Sequence, residues 1–591
     1  MHKNQIDETE IDIDFTERMR HTLSHILAAA VKELYPGVKL GIGPAIENGF
    51  YYDIDFGKEK IVEADLARIE KKMRKIIQQK LPMVRREVSK EEALNWAIAE
   101  NQTFKKELID ELPESEPISF YDMGEVFTDL CKGPHVENTG ECGPFKLIRL
   151  AGAYWRGDEK REMLTRVYGV AFETEDELKE YLKRQEEAKA RDHRKLGKEL
   201  DLFTFSDLVG AGLPMFTPRG TVLRDLLANY SLSLRAKAGF ERVWTPHITK
   251  VDLYKTSGHY AKFGDELFMV HSQVNGEEFA MKPMNCPHHT QIFASKPRSY
   301  KDMPVRYMEP TTDYRDEKTG ELGGLSRVRS LTQDDSHVFC RSSQIKGEIQ
   351  NLVAIVREFY EEMGMKLRAR LSYRNDEDKY LGDKKLWQMA QEQIKQAAID
   401  NGLDFFEAEG EAAFYGPKID FMAEDAIGRE HQVATIQLDF VQPERFGLEF
   451  VNEKGEKERP VMIHHATLGS IERFMSVFIE HTAGNFPFWI APEQIRILTV
   501  NDQVSEYVAE IEKVLNTVVL EKPLTHNDLR YEVDSSSESL GKKIRKATEM
   551  KIPCILIVGP KDAESREVSV RLREKEEKIA FSKLVDYLKE L

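Results

Sequence analysis

The sequence predicts a multidomain α+β chain, and three observations carry that prediction. Its 591 residues exceed what one hydrophobic core supports, and length alone suggests about three to five domains. Helical and strand-like periodicities then mix along the first 490 residues, with no internal repeat and no low-complexity tract. From residue 491 onward the pattern changes to short apolar strands alternating with helices, which is how a small α/β domain reads.

The first element is a helix: Met19, Leu23, Ile26, Leu27, Ala30, Val31 and Leu34 recur at helical spacing, and "YPGV" ends the run. Residues 1–176 as a whole read as mixed helix and strand. The charged stretch "EDELKEYLKRQEEAKARDHRKLGKEL" has a helical period but few apolar residues, so a solvated linker helix is expected over 177–200. The block 201–490 carries helical patterns near 220–239, 343–364 and 384–401. Between them, "AAFYGPKIDFMAE" and "EHQVATIQLDFV" alternate as antiparallel strands with one buried face do. "NFPFWIAPEQ" punctuates the chain before 491–591, where "IRILTV", "CILIVG" and "VSVRL" predict a largely parallel sheet with helices at 503–517, 537–549 and 582–590.

Composition excludes more than it assigns. Hydrophobic content of 41% and charged content of 32% describe a soluble globular protein, and no apolar run approaches the ~20 residues that span a bilayer. The acidic start "MHKNQIDETEIDIDF" has no apolar signal core. Five cysteines cannot make a disulfide framework in a chain of this length and suit a reducing cytosol, so a cytoplasmic location with no membrane partner is expected. The net charge of −17 weighs against nucleic acid as the main partner without excluding it, because binding depends on local basic patches such as "LGKKIRK".

Three distant segments carry candidate metal ligands: Cys286 in "MKPMNCPHHTQ", His337 in "SLTQDDSHVFC" and His464 in "PVMIHHATLGSIERF". Together they would make a one-sulfur, two-nitrogen zinc set with an open fourth position, the pattern of a working rather than a structural zinc. Taken singly, each reads more readily as a buried core residue than as a ligand. Around them, "YRDEKTGELGGLSRVRSLTQDDSH" places Arg315 before a glycine-containing loop and Arg327 and Arg329 after it, and Arg473 opens an apolar helix. Guanidinium groups suit a phosphate or carboxylate site because their planar fork binds bidentately and keeps its charge.

These segments resemble the class II aminoacyl-tRNA synthetases: "FERVWTPHI" is similar to motif 1, "DYRDE…LSRVRSLTQDD" to motif 2 and "LGSIERF" to motif 3. Within that class, "KPMNCP", "TQDDSH", "FYGPKIDF" and "VMIHHATLGSIERF" resemble the threonyl-tRNA synthetases. The resemblance implies a class II antiparallel sheet flanked by helices over 201–490, binding ATP with Mg2+, L-threonine and one Zn2+. Arg315 would hold the α-phosphate and the attacking carboxylate, Arg473 the γ-phosphate, and Arg327 would assist. Cys286, His337 and His464 would hold the zinc, with Gln333, Asp335, Tyr415 and Lys418 as threonine-binding neighbours. The sequence departs from the family at His288 and His465, which put extra imidazoles near the expected metal. A prolyl- or glycyl-type ligase would leave that ligand set unexplained, and a non-catalytic paralogue would leave the arginines unexplained.

A zinc that recognises a hydroxyl also admits serine, whose missing methyl is worth only ~1–3 kcal/mol, so a separate hydrolytic site is expected. His21 and His25 in "RHTLSHIL" stand at i and i+4, and Cys131 and His135 in "DLCKGPH" repeat the spacing. An HxxxH with a distant CxxxH is also a four-ligand zinc pattern. It resembles both the zinc-containing alanyl and the metal-free threonyl editing domains, and the neighbouring catalytic motifs favour the second. Residues 1–176 would then be an α+β editing domain that deacylates seryl-tRNA, with Asp129 and Lys105 as further pocket residues. With the HxxxH already at residue 21, no ubiquitin-like β-grasp module is expected before it. Residues 491–591 resemble a small α/β anticodon-binding domain, in which Lys542 and Lys543 would contact tRNA phosphates and Arg571 would read an anticodon base. The expected partner is the tRNA for threonine, and the class II motif 1 implies a homodimer.

Overall fold

The computed structural model describes residues 14–113, 116–519, 529–573 and 575–591. The chain divides into two compact units, Met1–Glu186 and Glu187–Leu591.

The first unit runs α1 (Phe15–Leu34), β1 (Gly49–Asp55), α2 (Leu66–Gln78), β2 (Met83–Val88), α3 (Thr103–Glu111), β3 (Ile118–Met123), β4 (Phe127–Leu130), β5 (Phe145–Tyr154) and β6 (Met163–Ala171). One antiparallel sheet joins β1, β6 and β5, and a second joins β2, β3 and β4. Helix α1 does more than its one apolar stripe predicts. Every residue from Thr22 to Val31 is buried, so His25 is enclosed with the apolar residues around it.

The single linker helix expected over 177–200 is two helices, α4 (Glu175–Arg191) and α5 (His193–Glu199). Asp192 breaks them: its backbone leaves the helical region, and its carboxylate accepts the Arg194 N–H as the cap of α5. The second helix is not solvated throughout, because His193, Leu196 and Gly197 are buried.

The second unit continues with α6 (Pro218–Lys237), β7 (Glu241–Arg242), α7 (Cys286–Ala294), β8 (Val305–Tyr314), β9 (Ser330–Cys340), α8 (Ile345–Glu362), β10 (Lys366–Tyr373), α9 (Lys384–Asp400), β11 (Phe405–Glu409), β12 (Lys418–Glu424), β13 (Glu430–Asp439), β14 (Val461–Ser470) and α10 (Ile471–Thr482). Its sheet has the order β7-β8-β9-β14-β13-β12-β10-β11 and is antiparallel except at its two edges, where β7 joins β8 and β11 joins β10 in parallel. One face is apolar. Ile419, Ile436, Leu438 and Ile463 meet Leu227 of α6, Val353 of α8 and Phe474 of α10 in one core cluster. The other face is mixed: Val305, Tyr307, Phe339 and Met462 pack there with Cys286 and Phe293 of α7 in a second, smaller cluster, and polar residues take the rest.

The chain ends in β15 (Ile495–Thr499), α11 (Ser505–Leu515), β16 (Tyr531–Asp534), α12 (Leu540–Glu549), β17 (Cys554–Val558), β18 (Glu567–Leu572), β19 (Glu576–Ala580) and α13 (Leu584–Lys589). The expectation of a largely parallel sheet needs correcting. β16, β15 and β17 run parallel, but β17–β18 and β18–β19 are antiparallel. The segment between β17 and β18 is too short for a crossover, which needs about a dozen residues or more.

Candidate active site

Side chains alternate across a strand, so β9 sends Gln333, Asp335 and His337 to the open face of the sheet. Asp334 and Ser336 go to the opposite face, where Asp334 accepts from Ser231 and from the Thr467 and Leu468 N–H groups. The antiparallel register then sets His337 opposite His464, His464 opposite Gln437 and Gln437 opposite Lys418. A row of polar groups thus crosses four strands.

Beyond this row, the β8–β9 loop and the start of α10 border a cavity of about 560 Å³ whose lining includes Arg315, Arg327, Gln333, Gln437, Ser470 and Arg473. Ser470 caps α10 by accepting the Arg473 N–H, which fixes where that arginine leaves the helix. The arginines differ in their electrostatics. Arg327 is paired with Glu317 at 2.6 Å and Glu321 at 2.7 Å, and Arg329 donates to the Glu317 carbonyl at 2.9 Å. Arg315 leans over the Phe263 ring at 5.0 Å. Among the described residues, neither Arg315 nor Arg473 has a carboxylate within ion-pair distance. Two guanidiniums without a carboxylate partner border one cavity, an arrangement suited to an anion.

Cys286 opens α7, and its sulfur lies with the facing nitrogens of His337 and His464 so that all three donor atoms are within 4.8 Å of one another, every residue buried. His337 Nε2 and His464 Nδ1 are 3.0 Å apart. The other nitrogen of His464 meets Asp439 Oδ2 at 2.8 Å, and the other nitrogen of His337 meets His289 Nδ1 at 2.8 Å. Burial pushes the Cys286 thiol far up, with Asp335 adding to it, and burial beside neighbouring imidazoles holds His337 far below its usual value. Neutral imidazoles with their second nitrogen fixed by a partner are the form in which histidine binds metal.

The two departures from the family do not crowd this group. His288 lies edge-on to Tyr254, ring centroids 6.2 Å apart, and His465 projects through to the opposite sheet face, where its Nδ1 meets Ser336 Oγ at 2.9 Å. The imidazoles that do approach are His289 and His259, the latter 3.6 Å from the Cys286 sulfur. Tyr415 stacks on the His464 ring at 4.7 Å and donates its hydroxyl to Gln437 at 2.5 Å. Asp335 is buried 3.5 Å from His337, and burial raises it to about 6. Lys418 belongs to the same row but is tied to Asp420 at 3.0 Å. Sequence reading missed His259, His289, Asp439 and Gln437; only the HH doublet at 288–289 and the even spacing of Gln437 and Asp439 on β13 hinted at them.

In the first unit, His21, His25, Cys131 and His135 converge, with donor atoms within 4.8 Å. His21 Nδ1 donates to the Pro134 carbonyl at 3.1 Å. Thr22 gives its own hydroxyl proton to the Arg18 carbonyl, so His135 Nδ1 donates to Thr22 Oγ1 at 3.1 Å. Both histidines therefore turn an Nε2 lone pair to the Cys131 sulfur, each at 3.3 Å. Burial pushes Cys131 up to about 12 and lowers His21, His25 and His135. The group is a protonated thiol among neutral bases. Behind it, Lys105 pairs with Asp129 at 2.6 Å and Tyr52 donates to the same carboxylate.

The C-terminal expectations divide. Lys542 is exposed and paired with Glu538 at 2.7 Å, and Arg571 lies 3.7 Å from Glu576. Lys543 must be corrected as a phosphate contact. It is 2% exposed, and its ammonium donates to the Thr499 and Asp534 carbonyls at 3.0 Å each, so it ties β15 to β16.

Comparisons with known proteins bear on this geometry. Residues 268–482 match the family described as "tRNA synthetase class II core domain (G, H, P, S and T)", residues 118–168 the "Threonyl and Alanyl tRNA synthetase second additional domain", and residues 494–591 the "Anticodon binding domain". The threonine–tRNA ligase of Gloeobacter violaceus is 49% identical over 592 residues, covering 98% of this chain and 93% of the relative. That of Porphyromonas gingivalis is 48% identical over 556 residues, covering 93% and 84%. Among solved structures, the RNA binding domain of threonyl-tRNA synthetase from Cryptosporidium parvum Iowa II has a TM-score of 0.63 and 34% identity, covering 68% of this chain and 98% of that one. With such identity over nearly its whole length, the chain belongs to the threonine–tRNA ligases, class II aminoacyl-tRNA synthetases that attach threonine to tRNA.

Proposed function

We propose that the cavity of the second unit forms threonyl-adenylate and passes its threonyl group to the tRNA, and that the first unit hydrolyses mischarged seryl-tRNA. The observation that carries the synthetic half is the buried Cys286, His337 and His464 group beside a cavity in which Arg315 and Arg473 have no carboxylate partner among the described residues. Arg315 orients the α-phosphate and the threonine carboxylate, Arg473 holds the γ-phosphate, and Mg2+ accompanies ATP. Catalysis is positioning and charge stabilisation, with no side-chain nucleophile.

Zinc fits the donor set: one sulfur, two imidazoles, each imidazole fixed by a partner on its other nitrogen, and three protein ligands rather than four. Bound there by Cys286, His337 and His464, it would supply a Lewis acid for reading the polar groups of threonine. Gln333, Asp335 and Tyr415 bind the remaining edges of the amino acid, and Lys418 orients Asp420. A site built for a hydroxyl rejects valine because its polar groups would go unpaired. Serine passes that filter.

For the editing half, His21 and His135 offer neutral lone pairs to a water, His25 and Cys131 shape the pocket, and Lys105 with Asp129 anchors its floor. This site works without metal, so purified protein should carry one zinc per chain; two would mean that the first unit holds one. Trp244, 75% exposed, and Ile248, 45% exposed, supply apolar surface on the motif 1 segment for a second copy in a homodimer. Lys542 and Arg571 contact the tRNA anticodon stem and loop, and the whole enzyme works in the cytoplasm. The test of the editing half is deacylation of seryl-tRNA for threonine. Wild type should hydrolyse it faster than threonyl-tRNA, and full activity in a His21→Ala, Cys131→Ala double variant would refute the site.

A further inference from the structure

His193, at the linker break, lies outside the cavity yet touches two segments that line it. It is 6% exposed. Its Nδ1 is 2.7 Å from Glu480 Oε1 and therefore donates, while its Nε2 accepts the Leu325 N–H at 3.1 Å. One neutral tautomer satisfies both bonds, and protonation or the other tautomer would break the second. Its backbone N–H also donates to Glu480 Oε1 at 3.1 Å.

Each partner leads to the site. Leu325 is fully buried in the main core, and Ser326, Arg327 and Val328, which come directly after it, line the cavity. Glu480 lies in the last turn of α10, whose first turn carries Arg473. Its other oxygen accepts from Arg429 at 2.6 Å. Arg191, just before the break, donates to the His481 carbonyl at 3.0 Å, so the linker clamps the end of that helix from two residues. The loop is fitted to the ring as well: Gly324 has φ +58°, and a Cβ there would stand 2.4 Å from His193 Nε2.

We infer that His193 is a positioning residue for ATP, whose δ-protonated imidazole joins the motif 2 loop to the motif 3 helix and so sets the spacing between the wall carrying Arg327 and the helix carrying Arg473. The inference rests on the cavity being the ATP site. A wild type without threonine-dependent ATP–pyrophosphate exchange would sink that reading itself, whereas a change confined to His193 variants bears on the positioning role alone.

The experiment is pyrophosphate exchange on the full-length enzyme, with ATP and threonine varied independently, for wild type, His193→Ala and His193→Gln. Loss of a charge-assisted bond and its partner should raise the KM for ATP by about five- to tenfold in His193→Ala, with the KM for threonine within about twofold. Glutamine keeps one donor and one acceptor at similar separation, so His193→Gln should recover most of the loss. Two outcomes would overturn the inference: an unchanged KM for ATP in His193→Ala, or equal rises in both KM values that glutamine does not rescue. If the alanine variant does not fold, His193→Asn takes its place: its amide stands near Nδ1 and keeps Glu480 but does not reach the Leu325 N–H, so the KM for ATP should still rise, and an unchanged KM would overturn the inference.

Discussion

Arg473 and Arg327 share one cavity, but their surroundings assign them different weights. Arg327 is already neutralised by Glu317 and Glu321, whereas Arg473 has no carboxylate within ion-pair distance among the described residues. On the proposed reading Arg473 holds the γ-phosphate, and loss of one preorganised donor to developing charge, as in an oxyanion hole, costs about 10²–10³ in rate. Arg473→Ala should therefore lower exchange by about that factor, and Arg327→Ala by clearly less; pyrophosphate exchange at saturating threonine checks both. The proposed editing site makes a pH prediction with a definite sign. Burial lowers His21, His25 and His135 below the ordinary imidazole value, so the bases stay neutral as the medium becomes acidic. Seryl-tRNA deacylation should hold level as pH falls through about 6.5, where a free imidazole would be half protonated, and decline only below it. A half-loss near 6.5 would contradict the assignment.

At the scale of single elements, the site depends on how strands and caps deliver side chains. Ser470 caps α10 and fixes Arg473 three residues later. Ser470→Ala should cost about 1 kcal/mol of stability and lower exchange beyond what that loss explains, measured as the thermal midpoint beside the rate. Gly416 lets the chain pass beside β13, since a Cβ there would stand 1.9 Å from the Leu438 carbonyl oxygen. Gly416→Ala should displace Tyr415 and raise the KM for threonine more than that for ATP. Much of this was legible from the chain alone. The alternation on β9 places Gln333, Asp335 and His337 together, and the same alternation separates His464 from His465. What escaped was contact across distance. No local pattern pairs His193 with Leu325, puts His289 rather than His288 beside His337, or sinks Lys543 beneath a strand end while Lys542 stays in solvent. Such outcomes depend on which helix face meets which sheet, and that is settled by packing.

On the proposed reading the molecule as a whole divides its labour between two units, and the division follows from a limit of recognition. A metal that selects a hydroxyl would not exclude serine, so a synthetic site of that kind calls for a separate hydrolytic one. With serine in place of threonine, wild type should consume ATP without accumulating seryl-tRNA, while the His21→Ala, Cys131→Ala variant should accumulate it. The amino-acid dependence of ATP–pyrophosphate exchange, measured on zinc-loaded enzyme with threonine, serine, valine, proline and glycine, tests the central claim most directly. Exchange should be strongest with threonine, weaker but measurable with serine and absent with valine. Equal exchange with valine and threonine, or a maximum with proline or glycine, would contradict a hydroxyl-reading metal at Cys286, His337 and His464.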